Sequence, residues 1–383
     1  MILWLICIFI SSFESSGKQF PERLVIFSKF GFMRSLFIPA ALTLILSIPL
    51  LGQDDDVPTF EDTIAVYEDL FEIKEPLNLT LKFDIKEFQK TKRKGEYQHA
   101  VITCHVRDGF DVTHNVRIKS RGEYRLNECL MPPFWLNIRH AGIGAEYLSD
   151  VIKFKVVTRC RSSSIYENYI LREYLVYQIF NLLSPYSFNT RLVRLKYIDT
   201  GRKDKISEDW AFLIEPEAMM AERNNAMPIK SDKLSLATVN KETMDMVAYF
   251  NYMVGMTDYS VTGRHNLKIL TLKEYGPPIG YIPVPYDFDY CGFVDATYAE
   301  PGPDLGITSV RERYYLGKCR SEEIHKKTIQ LLASYKDEIR DLIMSFEYLE
   351  EKEREKVVEY IESYYKETES KGFIDRSIQS TCR

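Results

Sequence analysis

The 383 residues are 45% hydrophobic and 27% charged, an ordinary globular mixture with room for one large domain or two smaller ones. The formal net charge of −5 is small for this length, and no Lys/Arg block stands out, which argues against a nucleic-acid partner. With 25 Tyr and 22 Phe, the chain has the aromatics for a packed interior and does not read as disordered.

Two apolar runs lie near the start, Met1 to Ile10 and Leu36 to Leu51. The second follows Met33-Arg34 and ends before Asp54-Asp55-Asp56, the order of a secretory signal. Pro39 and Pro49 interrupt it, and it is short of the roughly 20 apolar residues of a bilayer span. Residues 1–52 therefore read as an upstream segment and signal peptide with its start at Met33, a signal anchor from Met1 being the alternative. Either way the rest is expected outside the cytoplasm, periplasmic or extracellular, with no stable membrane span once the signal is removed. Six cysteines follow, an even number that suits disulfides, and six allow 15 pairings.

Residues 53–76 are acidic and read as a tether. From Leu77 the pattern turns β-rich, with strands expected at 79–83, 99–104, 115–119, 134–138 and 152–157. Asp108-Gly109 supplies a turn between two of them. A helix over 165–183 follows, apolar on nearly every side and so expected to be buried. Glu173 lies on its apolar stripe, where a carboxylate needs a cationic partner unless it pairs with Arg172 or reaches out to solvent. Strands at 191–197 and 210–215 precede Pro216, which ends the second. A short helix over 217–223, a polar loop over 224–240 and a helix over 241–256 come next. The stretch from Ser321 to Lys371 reads as helical and highly charged. Sheet first and mostly helix later is an α+β order, divided at 77–216 and 217–383.

The segment from Gly255 to Gly292 carries the chemistry. Strands over 267–272 and 280–285 flank a turn at Gly276-Pro277-Pro278. Counting outward from Gly276 sets Asn266 opposite Tyr286, so an antiparallel pair brings Asn266 and Asp287 to one end. Asp258 lies on the loop that leads there. Such side-chain oxygens suit a hard cation, Mg²⁺ or Mn²⁺, with an attached phosphate. Singly, Asp and Asn at strand ends are common turn formers.

Asp258, His265-Asn266, the strand after them and Pro285-Tyr286-Asp287-Phe288-Asp289 resemble the spore-coat protein H (CotH) kinase-like family, atypical secreted or coat-associated protein kinases. The resemblance covers about Val116 to Tyr290, with Arg121-Gly122, the helix bearing Glu173 and the strand Phe212-Leu213-Ile214-Glu215. It implies a two-lobed, atypical protein-kinase-like fold, with an N-terminal antiparallel sheet plus one long helix and a mostly helical C-terminal lobe. It further implies ATP with Mg²⁺ or Mn²⁺, and phosphoryl transfer to Ser or Thr of an envelope or secreted protein. Asp258 would be the catalytic aspartate that orients the acceptor hydroxyl. Asn266, Asp287 and Asp289 would hold metal and phosphate, and backbone near Glu215 would meet adenine. Glu173 would pair with a lysine that grips the phosphates. Trp135 stands where the family places that lysine, and Lys155, or else Lys119, on the neighbouring strands is the substitute. There is no Gly-rich phosphate loop. The alternative is a non-catalytic kinase-fold scaffold that binds a surface protein or polysaccharide.

Overall fold

β1 (Leu77–Phe83) turns Leu77, Leu79, Leu81 and Phe83 inward, and all four are buried. It opens a run of strands: β2 (Gln98–Arg107), β3 (Phe110–Ser120), β4 (Phe134–Asn137), β5 (Lys153–Thr158), β6 (Thr190–Asp199) and β7 (Lys205–Ile214). The computed structural model describes residues 70–107, 110–138, 153–230, 234–275 and 279–383. The expected signal segment, most of the tether, and the turns at Asp108-Gly109 and Gly276–Pro278 lie outside the described residues.

The seven strands close into a barrel in the order β1-β2-β3-β4-β5-β7-β6. Six pairings are antiparallel, and β1 meets β6 in parallel, Leu77 beside Val193 and Phe83 beside Asp199. The two-lobed kinase-like fold with an antiparallel N-terminal sheet is therefore overturned: the sheet is a closed mixed barrel. A period of two marks strands and their buried face. It says nothing of which outer edges meet, and here the pairing that closes the barrel joins strands far apart in sequence.

The apolar interior of the barrel includes Ile102, Ile118, Phe134, Phe154, Val156 and Leu213. A second core lies against its outer wall. β7 serves both, with Ala211 and Leu213 facing in and Phe212 and Ile214 facing out. Onto that outer side packs a long helix (Ile165–Leu183), buried from Tyr169 to Leu183 over most of its length, as its all-round hydrophobicity predicts. Before it in the chain come two short helices that periodicity does not reveal, α1 (Ile85–Thr91) and α2 (Tyr124–Glu128); the long helix is α3. α4 (Glu217–Arg223), α5 (Lys241–Val254), α6 (Glu322–Ser334), α7 (Lys336–Met344) and α8 (Glu351–Thr368) complete the helical part. α5 starts at Asn240, whose side chain caps Thr243, and stops at Gly255 in a left-handed conformation (φ 71°).

A three-stranded sheet, β10 (Ile282–Pro285), β9 (Leu267–Leu272) and β8 (Ala226–Pro228), carries the hairpin. β8 falls in the stretch expected to be a loop. Disulfides join Cys129 to Cys160 and Cys319 to Cys382, and Cys291 is buried as a free thiol. Among the described residues, no helix is long and apolar enough to cross a membrane.

Candidate phosphate and metal site

The hairpin register pairs Leu267 with Pro285, which sets Asn266 opposite Tyr286 as the count predicts. The Tyr286 amide donates to the Asn266 carbonyl at 3.1 Å. Asn266 (φ 50°) and Asp287 (φ 63°) both adopt the left-handed conformation, which Asn and Asp tolerate better than most residues. Local bonds hold them there. The Asn266 amide donates to the Asp258 carbonyl (2.8 Å) and carboxylate (3.1 Å), and the Asp287 amide N–H donates to the Tyr177 hydroxyl (2.8 Å). Ser260 and His265 exchange backbone hydrogen bonds, folding the loop so that His265 Nε2 lies 3.0 Å from Asp258 Oδ1. Asp258 is thus oriented by two neighbours yet open to a cleft.

Deeper in, Glu173, Asp287 and Asp289 place carboxylate oxygens within 4.8 Å of one another. α3 supplies Glu173, and the turn after β10 supplies the aspartates. α2 supplies the cation that meets them: Arg125, buried, donates from Nε to Asp289 (2.7 Å) and from Nη2 to Glu173 (2.9 Å). Arg121 approaches Asp287 at 3.6 Å. Burial raises the Glu173 carboxyl, with Arg125 opposing and the two aspartates adding. Burial also raises Asp289 against the pull of Arg125. Burial works to raise Asp287 too, but Arg121, Arg125 and Lys155 outweigh it and bring it below the usual carboxylate range.

A divalent cation fits this cluster on an observation independent of its acidity: Glu173 Oε1 is buried and has no hydrogen-bond partner. The donor set is all carboxylate oxygen, the kind that Mg²⁺ and Mn²⁺ take. Glu173, Asp287 and Asp289 would hold the ion.

The other half of the cleft is cationic. A cavity of about 510 Å³ outside the barrel wall is lined by Lys119, Arg121, Lys153, Lys155, Lys230 and Lys268, with Tyr97, Trp135 and Tyr286 between them. Its carboxylates are already engaged, Glu217 with Lys268 and Glu215 with Arg223. Strand register explains the lysines: Trp135 on β4 pairs directly with Lys119 on β3 and with Lys155 on β5. The three share one face of the wall. Lys155 lies against the Tyr286 ring (4.3 Å to its centre) and is held down to a pKa of about 7 by burial, Arg121 and Lys268. The adjoining acidic cavity, about 620 Å³, is lined by Asp258, Asn266, Asp287 and Asp289. Both cavities include Arg121 and Tyr286.

The sequence-derived set is thus mostly gathered. Asp258, Asn266, Asp287 and Asp289 share one cavity, and Lys155 and Glu215 line the other. Three roles change. Glu173 pairs with Arg125, not with a lysine. Asn266 donates its amide NH2 to Asp258 and lines the same cavity as Asp287 and Asp289, and Glu173 joins those two aspartates in the carboxylate cluster. The Glu215 amide donates to the Asn189 carbonyl (2.9 Å), and its carboxylate accepts from the Asn189 amide and Arg223, so that N–H is not available to a base. Arg125 went unrecognised in the sequence, where an arginine four residues past Arg121 in a short polar segment looks like any surface residue. No protein-family model and no curated protein matches this chain.

Proposed function

We propose that this is an exported phosphotransferase that moves a phosphoryl group from ATP, with Mg²⁺ or Mn²⁺, to a Ser or Thr hydroxyl of an envelope or secreted protein. One observation carries the reading. The lysine-lined and carboxylate-lined cavities meet at Arg121 and Tyr286, so an anionic chain gripped by Lys119, Lys155 and Lys268 leads into the acidic cluster. Phosphoryl transfer is mainly positioning and charge stabilisation. Lysines and Arg121 bind and neutralise the phosphates, and Trp135 and Tyr286 offer ring faces beside them. Asp258, held by His265 and Asn266 at the open mouth, orients an incoming hydroxyl and accepts its proton. A bound divalent cation would neutralise charge developing on the transferred group. The likeness to the CotH kinase-like motifs supports the same roles for Asp258, Asp287 and Asp289. The disulfides Cys129–Cys160 and Cys319–Cys382 and the signal-like N-terminus support export.

A second reading, a nucleotide-binding scaffold without transfer, draws on the pairing of Glu173 with Arg125 in place of a lysine. One experiment separates the two. Full-length protein is incubated with ATP labelled on its γ-phosphate, Mn²⁺ and casein as a generic acceptor, beside Asp258→Asn and Asp287→Asn. Label transfer that both substitutions abolish supports the transferase. A thermal shift with ATP and Mn²⁺ but no transfer or hydrolysis supports the scaffold. Neither shift nor turnover removes both.

A further inference from the structure

We propose that the acidic cluster takes a single divalent cation, and that Arg125 fills the place of a second by bridging Glu173 to Asp289. This rests on the metal reading above and goes beyond it in stoichiometry and in the role of Arg125. Two-metal phosphoryl-transfer sites hold their ions about 3.5–4 Å apart, so the second ion needs carboxylate oxygens beyond, or shared with, those of the first. Each carboxylate here has one oxygen already committed. Arg125 takes Glu173 Oε2 (2.9 Å) and Asp289 Oδ2 (2.7 Å), where the Tyr298 hydroxyl also donates (3.1 Å). Arg121 faces Asp287 Oδ2. Glu173 Oε1 remains, buried and without a partner, and the contacts on both aspartates leave Oδ1. That is one uncommitted oxygen per carboxylate, a set that suits one ion beside substrate phosphate and water while Arg125 occupies the oxygens a second would share.

The guanidinium is also fixed. It is buried, and its planar fork suits two carboxylates at once. The helix that presents it is pinned at its C-terminus, where the Cys129 amide donates to the Arg125 carbonyl and Cys129 is bonded to Cys160. The Lys92 ammonium donates to the Cys129 carbonyl at 2.6 Å. With all three carboxylates ionised against two guanidiniums, one formal negative charge faces an ion, which on binding displaces the proton that burial favours on Glu173. Arg125 is a positioning residue that sets how many cations the carboxylates accept.

The test is a titration of the full chain with Mn²⁺ alone, the free ion counted by electron paramagnetic resonance. The wild type is expected to saturate at one ion per chain. Arg125→Met releases Glu173 Oε2 and Asp289 Oδ2 and is expected to saturate at two. Arg125→Lys keeps the charge but not the fork, and is expected to bind one ion about tenfold more weakly. Two ions in the wild type, or wild-type stoichiometry and affinity in both variants, overturn the proposal. If Arg125→Met does not fold, unchanged affinity in Arg125→Lys is enough to overturn it. No ion bound by the wild type is a different result: it removes the metal site itself.

Discussion

The two halves of the cleft treat charge in opposite ways. The acidic half is nearly self-contained, since two arginines already pair with its three carboxylates. The basic half gathers lysines around Trp135 and Tyr286, and its two glutamates are engaged with Lys268 and Arg223. The acidic half is therefore largely neutralised from within, whereas the basic half holds like charges together that a bound anion would relieve.

The largest effect that tests this contrast is on stability. Arg125→Met strands two buried carboxylates, and breaking a buried pair costs about 3–5 kcal/mol. Lys155→Met in the other half should be neutral or stabilising, because it removes a cation held against Arg121 and Lys268. Urea denaturation of both variants measures the difference, and equal losses would erase the contrast. Next comes binding. Lys155→Met should weaken ATP by about tenfold or more, since a charge-assisted hydrogen bond contributes roughly 1.5–3 kcal/mol; calorimetric titration reads this directly.

The pH dependence follows from the same lysine. Folding lowers Lys155 from its ordinary value, about 10.4, to about 7. Between those values the unfolded chain holds a proton that the folded one has lost, so this group makes stability rise with pH across that window. ATP should reverse the trend by recharging the ammonium. Binding then takes up a proton and weakens as pH rises above about 7. Calorimetry in two buffers of different ionisation enthalpy measures the uptake, and buffer-independent heats would show that Lys155 does not meet the anion. The smallest effect belongs to Trp135, whose ring lies 5.7 Å from the Lys155 ammonium. Trp135→Leu removes a cation–π contact of about 0.5–1 kcal/mol and should change ATP affinity by only a few-fold.

What was legible in the sequence divides along similar lines. Local order was: nearly all the strands, the long helix and the hairpin count that joins Asn266 to Asp287 follow from periodicity and turn residues. The apolar stripe leaves open whether Glu173 is buried with a partner or reaches solvent, and the structure buries it against Arg125. Residue type does not distinguish a buried arginine from an exposed one, and α2 is too short to show a period. The place of Lys155 on the strand just before the long helix suggests that it faces Glu173, but register sets it beside Trp135, and Glu173 pairs with Arg125. Barrel closure was not reachable, because the β1–β6 ladder leaves no mark on the local pattern of either strand.

That ladder also bears on how the chain reaches its native state. Leu77 pairs with Val193, 116 residues later (193 − 77), so the edge of β1 has no native neighbour until β6 forms. Contacts this distant slow folding, and an open strand edge invites pairing between chains. The barrel half should thus be the late and aggregation-prone step of refolding, and a holding chaperone should raise the yield more than any additive that only strengthens the helices.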